Sequence, residues 1–556
     1  MEILKFLIIY ALLTISILGY GLVFSTKLTR YNNFQNNDIS IGYVGLFGIF
    51  FSIIISYLSN FFLAHNNFHN LSFILIGIIF FFIFLKRTNK KFISSYFIFS
   101  YLVSLFAIFY FKSHDDFSYY HFSFIENITK NKIEFGLGHF NYAFSHVSSI
   151  FYFNSLFKTY FTGYYFYQIG QLSIIILANT ILLENIFKRS KNSKLDLIFF
   201  VTLFCIFFIN VFFYRLAEHG TDRSAQILFF LCVIIVIDIL QSKKTLSKSI
   251  EVLLIIFTLI ITIKSFYILY SVILFFVYFK FYKLKDFREF FMTFSIIYVC
   301  LFMFILMLIY NIANSGCLLY PVQITCPDNL IWGYGKEKII DYMNWYELWS
   351  KAGATPNLRV ENSQEYLSGL NWIGNWFDSY FFNKVSDYLL GIIVTIIITI
   401  SFFNLKRLSF DNFEKFKFLY IVIFILFLEW FLQHPSLRYG GYVLIYFLLI
   451  FPVSLVLSNQ NFIFSKKIKS IYTILLIALI IFAGRNINRL NNEYKVYNYN
   501  LFKNPHYRIG DNFTFMQENR KRMLNETRYC TKINTTGNIS CKKIYGYNVY
   551  FINKNN

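Results

Sequence analysis

The sequence predicts an all-α fold, a polytopic transmembrane helical bundle of about 14 spans. Three observations carry this expectation. Of the 556 residues, 57% are hydrophobic and only 14% are charged. The apolar residues gather in runs close to the roughly 20 needed to cross a bilayer. Basic residues cluster in every second connection between those runs, the asymmetry that orients a chain in a membrane. A soluble protein is excluded, and so is the nucleic-acid partner that a net charge of +22 would otherwise suggest.

In chain order, the N-terminal spans occupy residues 1–111, with apolar runs near 3–23, 41–63, 70–85 and 93–111. An outer loop, 112–161, leads into a membrane core, 162–311, whose runs lie near 162–187, 195–213, 224–241, 250–263, 265–279 and 290–311. A large outer loop, 312–385, precedes the C-terminal spans of 386–484, near 386–404, 418–432, 441–458 and 470–484. A small outer tail covers 485–556. Clusters at Lys86–Lys91, Lys188–Lys194, Lys243–Lys248, Lys280–Arg288, Lys406–Lys417 and Lys466–Lys469 mark the cytoplasmic loops. Both flanks of 250–279 are basic, which requires a tight hairpin turning near Lys264. The N-terminus then lies outside. A cleaved signal peptide is disfavoured, because no small-x-small site follows Tyr20.

The cysteines give an independent view of sidedness. Three of the seven, Cys205, Cys232 and Cys300, lie in apolar runs and read as small core residues. Cys317 with Cys326 and Cys530 with Cys541 form two closely spaced pairs in outer segments, the pattern of disulfides in an oxidising compartment. A four-cysteine zinc site would need tighter spacing. All nine histidines and all six tryptophans fall on the same outer side. The tryptophans suit either an interfacial aromatic belt or stacking against sugar.

Candidate chemistry therefore lies on the outer face. The stretch KSHDDFSYYHF, 112–122, sets Asp115 beside Asp116 at a membrane edge, where a carboxylate is costly to desolvate. A solvated loop start or a helix N-cap would also place aspartate there. Residues 131–157, half polar and half apolar, read as one or two helices lying in the interface. RLAEHGTDR, 215–223, offers Arg215, Glu218 and Asp222, and the turn at Lys264 adds a lone cation. HPSLRYGG, 434–441, adds His434, Arg438 and Tyr439, and Arg485 opens the tail. Each has a structural alternative as a cap, an internal ion pair or a stop-transfer residue. Together they place cations and carboxylates around one rim. Arginine binds phosphate through a bidentate fork and lysine as a point charge, while a carboxylate accepts a proton from an attacking hydroxyl. These roles describe group transfer from a phosphate-linked donor, with Lys264, Arg438, Arg485 and Arg215 on the phosphate.

Asp115-Asp116-Phe117-Ser118-Tyr119, opening the first large outer loop, resembles the Asp-[Asp/Glu]-x-x-Tyr signature of the GT-C superfamily of polyprenyl-phosphate-dependent glycosyltransferases. NSGCLLYPVQITC, 314–326, is similar to a family of bacterial membrane proteins associated with surface polysaccharides. The first resemblance implies a GT-C-like bundle in the bacterial cytoplasmic (inner) membrane with its functional loops periplasmic. It implies a polyprenyl-phosphate-linked sugar as donor, a glycan or lipid acceptor, and contact with membrane lipid. Asp115 and Asp116 would then be the catalytic base or a metal-positioning group. No cofactor is assigned, and a divalent metal would rest on those two aspartates alone. A lipid-linked glycan flippase or transporter and an O-antigen-type polymerase are the alternatives.

Overall fold

A computed structural model describes residues 2–29, 39–86, 92–109, 116–189, 195–214, 220–242, 246–354, 360–405, 408–411, 413–460, 462–500, 534–536 and 539–552. The chain begins with α1 (Glu2–Leu28), α2 (Ile41–Phe62), α3 (Asn67–Leu85) and α4 (Ser95–Phe109). The segment that follows holds α5 (Phe122–Lys130) and α6 (Ser149–Ser155). The core follows as α7 (Ile169–Arg189), α8 (Leu197–Phe212), α9 (Gly220–Gln241), α10 (Ser247–Ile263), α11 (Val272–Phe281), α12 (Phe287–Thr293) and α13 (Ile296–Ser315). The next segment carries α14 (Lys336–Lys351), α15 (Ser363–Leu367) and α16 (Ile373–Trp376). The last helices are α17 (Ser386–Phe403), α18 (Lys417–Gln433), α19 (Gly441–Ser458) and α20 (Phe464–Tyr497). Most of the apolar runs expected to span fall on a helix, but 265–279 opens as a 3₁₀ turn over Ser265–Ser271 and 290–311 is broken between α12 and α13. Among the described residues nine helical segments are long and apolar enough to cross a membrane. The protein is thus a mostly helical membrane protein, with a small sheet at its end.

Local chemistry sets the helix ends. Ser40 caps α2 by accepting from the Gly42 amide at 3.0 Å, and Asp196 caps α8 through the Phe199 amide at 2.9 Å. The expected break near Lys264 is present: α10 stops at Ile263, Lys264 is extended, and a 3₁₀ turn covers Ser265–Ser271. Helix α7 lies inside the bundle with nearly all of its side chains covered, whereas α3, α17 and α20 leave most of theirs on the outside. Glycines let the first three helices meet closely. A Cβ on Gly19 would lie 1.8 Å from the Gly77 carbonyl of α3, and one on Gly48 would lie 2.0 Å from the Ile17 carbonyl of α1.

Two expectations for the outer segments are corrected. Residues 131–157 do not form interfacial helices. They fold as short 3₁₀ turns and α6, all seven of whose residues are buried against α2, α5, α7 and α10. The polar half of this segment is satisfied inside the protein: Asn154 donates to Gln171 at 3.0 Å and Ser148 to the Ile263 carbonyl at 2.7 Å. The tail, read as part of an all-α chain, forms an antiparallel sheet of β1 (Asn534–Thr536), β2 (Ile539–Ile544) and β3 (Tyr547–Ile552) in the order β1-β2-β3. Phe135 of the first loop extends it, donating to the Asn548 carbonyl and accepting from the Tyr550 amide, both at 2.9 Å. Cys317 and Cys326 are disulfide-bonded just after α13. Cys541 is also disulfide-bonded, and Cys530 lies outside the described residues.

Candidate functional site

Four charged side chains from four distant segments meet near the ends of the helices. Asp222 sits in the first turn of α9 and is 2% exposed. Its Oδ1 lies 2.6 Å from Lys264 Nζ, and its Oδ2 accepts from Arg438 Nε at 2.8 Å. Arg438 Nη2 reaches Asp116 Oδ2 at 3.3 Å. The run Lys264, Asp222, Arg438, Asp116 therefore alternates in sign and sums to zero. Asp222, nearly inaccessible and held by two cations, is a structural counter-ion. The Asp116 side chain keeps 27% exposure and a longer contact, so it is the carboxylate that a ligand can reach.

The loop between α18 and α19 is built to place Arg438. Trp376 Nε1 donates to the Pro435 carbonyl at 2.9 Å and Trp430 Nε1 to the Ser436 carbonyl at 2.8 Å. The Tyr380 hydroxyl accepts from the Leu437 amide at 2.8 Å. Gly440 ends the turn with φ +98°, a conformation that a side chain would strain. The Arg438 guanidinium lies 5.8 Å from the Trp349 ring and 5.9 Å from the Tyr439 ring, and Lys264 Nζ is 6.0 Å from Tyr439. Burial opposes the charge on Arg438, but Asp222 and Asp116 hold its pKa well above the usual value. Tyr439 is pushed up to about 12 by burial, with Arg438 pulling the other way, and stays a neutral phenol.

Beside the quartet opens a cavity of about 590 Å³. Lys264 lines it, together with Tyr120, Tyr439, Trp430, His434 and Glu429. His146 also lines it, hydrogen-bonded through Nε2 to the Tyr346 hydroxyl at 2.6 Å. Burial, with Lys264 and Arg438 nearby, lowers His146 to about 3, so it is neutral at pH 7. Burial also lowers His434. Leu319, Tyr320, Pro321 and Val322, inside the Cys317–Cys326 loop, close one wall.

A family described as Domain of unknown function (DUF8201) matches residues 3–445. The chain belongs to that family. The DUF8201 match covers all four charged residues and the disulfide loop, and stops before α20 and the sheet. No curated protein and no solved structure matches the chain.

Of the residues singled out in this DUF8201 chain, Asp116, Asp222, Lys264, Arg438, Tyr439 and His434 gather at the cavity or its edge. Asp115, Arg215 and Glu218 lie outside the described residues. Arg485 does not join the group: it donates to the Val211 carbonyl at 2.7 Å, at the C-terminal end of α8, and stacks on Tyr214 at 5.0 Å. Lys264 and Arg438, expected to bind phosphate, are each ion-paired here, Lys264 with Asp222 and Arg438 with Asp222 and Asp116. Among the described lysines and arginines only Lys264 lines the cavity. Among the described residues no group of three or more His, Cys, Asp or Glu gathers to hold a metal ion. Tyr120, His146, Trp349 and Glu429 were not read as site residues. Tyr120 and His146 stand in polar stretches expected to be outer, and Trp349 is among the six tryptophans expected to stack on sugar or to form a belt; Glu429 carries no signal beyond residue type.

Proposed function

We propose that this protein is a GT-C-like membrane glycosyltransferase that moves a sugar from a polyprenyl-phosphate-linked donor to a glycan or lipid acceptor. The supporting observation is the convergence of Asp116, Asp222, Lys264 and Arg438 on the rim of one aromatic-walled cavity. Part of the cavity wall lies within a disulfide-closed loop, which argues for an oxidising compartment. In this reading the chain sits in the bacterial cytoplasmic membrane with the cavity facing the periplasm.

The chemistry follows from the geometry. The donor's phosphate enters the cavity against Lys264 Nζ, whose charge stabilises the departing phosphate. An acceptor hydroxyl approaches Asp116, which takes its proton. The acceptor oxygen forms a bond to the anomeric carbon as the bond from that carbon to the phosphate oxygen breaks, and the phosphate leaves with the electron pair. Arg438, fixed by Asp222, holds Asp116 in place. Asp222 and Arg438 are thus positioning residues.

The test uses the full-length protein in proteoliposomes loaded with lipid-linked sugars extracted from the producing cells. Free polyprenyl phosphate is measured by mass spectrometry. Asp116→Asn should lower its release by about 100-fold or more, the usual weight of a general base, while costing no more than about 1 kcal/mol of stability, as for a part-exposed ion pair. Equal release by the variant would remove Asp116 from the chemistry. Transbilayer movement of intact donor without loss of the sugar would favour a flippase instead.

A further inference from the structure

Helix α14 has two chemically different faces. At about 100° per residue, Lys338, Tyr342, Trp345 and Trp349 fall within an arc of roughly 60°. Met343, Asn344 and Glu347, which line the cavity, occupy the opposite side, and Tyr346, another cavity residue, lies between the two faces. The first arc continues onto the opening of the outer loop. The Trp345 and Tyr342 rings lie 5.7 Å and 6.0 Å from Tyr142, the latter pair stacked at 22°, and Tyr142 lies 6.4 Å from Tyr119. Trp345 is 38% exposed and Tyr119 is half-buried, as are Tyr142 and Tyr342, which pack against the buried Cys317, Tyr320, Cys326, Ile339 and Tyr346. The shelf reaches Asp116, whose charge acts on both Tyr119 and Tyr142. At its far end Trp349 underlies Arg438. Neither Asp116 nor any shelf ring lines the cavity.

We infer that the shelf formed by Tyr119, Tyr142, Tyr342 and Trp345 is a binding site for a glycan, and that α14 and the charged quartet separate it from the cavity that takes the lipid-linked phosphate. This rests on the transferase reading and assigns the acceptor to a saccharide. Pyranose rings present faces of C–H groups that pack on electron-rich aromatic faces, while their hydroxyls need donors and acceptors at the edge. Lys338, 5.9 Å from the Tyr342 ring, and Asp116 supply those edges. A saccharide lying on the shelf brings a hydroxyl to Asp116 without entering the cavity. An interfacial lipid belt would instead need no carboxylate at the rim and no ordered run of rings leading to it.

The experiment uses full-length protein in nanodiscs and, as probe, short oligosaccharides released by mild acid from the lipid-linked pool of the producing cells. Binding is read by saturation-transfer NMR, and polyprenyl-phosphate binding is read in parallel by native mass spectrometry. Trp345→Ala should weaken oligosaccharide binding by about tenfold, the weight of one aromatic contact, and leave polyprenyl-phosphate binding unchanged. Trp345→Phe should restore most of the loss. Unchanged oligosaccharide affinity in Trp345→Ala overturns the inference, as does quenching of Trp345 by brominated lipid that oligosaccharide does not relieve. Oligosaccharide bound at the shelf by a protein that transfers no sugar supports the site and sinks the transferase reading. Sugar transfer that Trp345→Ala leaves at unchanged acceptor KM sinks the site and spares that reading.

Discussion

Asp222→Asn isolates the physical role of the quartet. The substitution keeps the side chain's size and removes one negative charge, leaving Lys264 and Arg438 with only Asp116 between them. At 2.6 Å the attraction of Lys264 to Asp222 is on the order of 6 kcal/mol for an effective dielectric of 20. Withdrawing both ions from water offsets much of this, yet breaking one side of a buried pair costs about 3–5 kcal/mol, because the partner stays buried without its counter-charge. The Lys264 and Arg438 side chains are 17% and 31% exposed and recover some hydration, which places the expected loss near the lower figure, about 3 kcal/mol. Lys264→Met should cost a similar amount for the opposite reason. The double variant restores neutrality and should regain at least about 1.5 kcal/mol over the sum of the two losses. Thermal or denaturant unfolding of all four proteins in one detergent measures the cycle. A coupling near zero would show that the quartet does not balance charge in the folded protein, and the assignment of Asp222 as counter-ion would fall with it.

Further outcomes follow from the same structure. Replacing Cys317 and Cys326 by serine opens a short loop and should cost roughly 2–3 kcal/mol, seen as a lower unfolding midpoint that reductant reproduces in the parent protein; no effect of either would mean that the bond is not formed in the membrane. Glu134 is fully buried and accepts from Asn127, Asn548 and Tyr550 at 2.8, 2.7 and 3.0 Å; burial raises it to about 7 against these donors. Its raised pKa stabilises docking of the sheet most below about pH 4.5, and that contribution is lost as pH rises through 7. Hydrogen exchange in 539–552 should therefore quicken between pH 5 and 8 beyond the intrinsic rate, and Glu134→Gln should flatten the difference. Gly440→Ala adds a Cβ 2.3 Å from the Tyr270 hydroxyl at φ +98°, and should lower transfer activity at least about tenfold by moving Arg438, with a loss of roughly 1–3 kcal/mol in stability; a fully active variant would show that the turn does not set the arginine.

Much of this was legible in order along the chain. Apolar runs such as 41–63 and 441–458 reappear within a residue or so as Ile41–Phe62 and Gly441–Ser458, because a helix in lipid must satisfy its own backbone and announces itself by length and composition. The break at Lys264 followed from charge asymmetry. Residues 131–157 misled because their mixed polarity suits an interface as well as an interior; only the partners of Asn154 and Ser148 distinguish the two. The sheet was invisible for a related reason. Its strands are short, and one neighbour is Phe135, far away in sequence.

The sequence by itself determined that this is a membrane protein, where most of its helices lie, and which scarce polar residues stand near their ends. Composition and period suffice for that, since each helix is a local solution to burial. Which of those residues pair was decided only by the packing of the bundle. Arg438 meets Asp222 across 216 residues and Asp116 across 322, and Arg485, of the same type and expected to share the task, is drawn instead to the end of α8. A charge neutralises whatever opposite charge the fold brings within about 3 Å, and no periodicity in the chain encodes that distance.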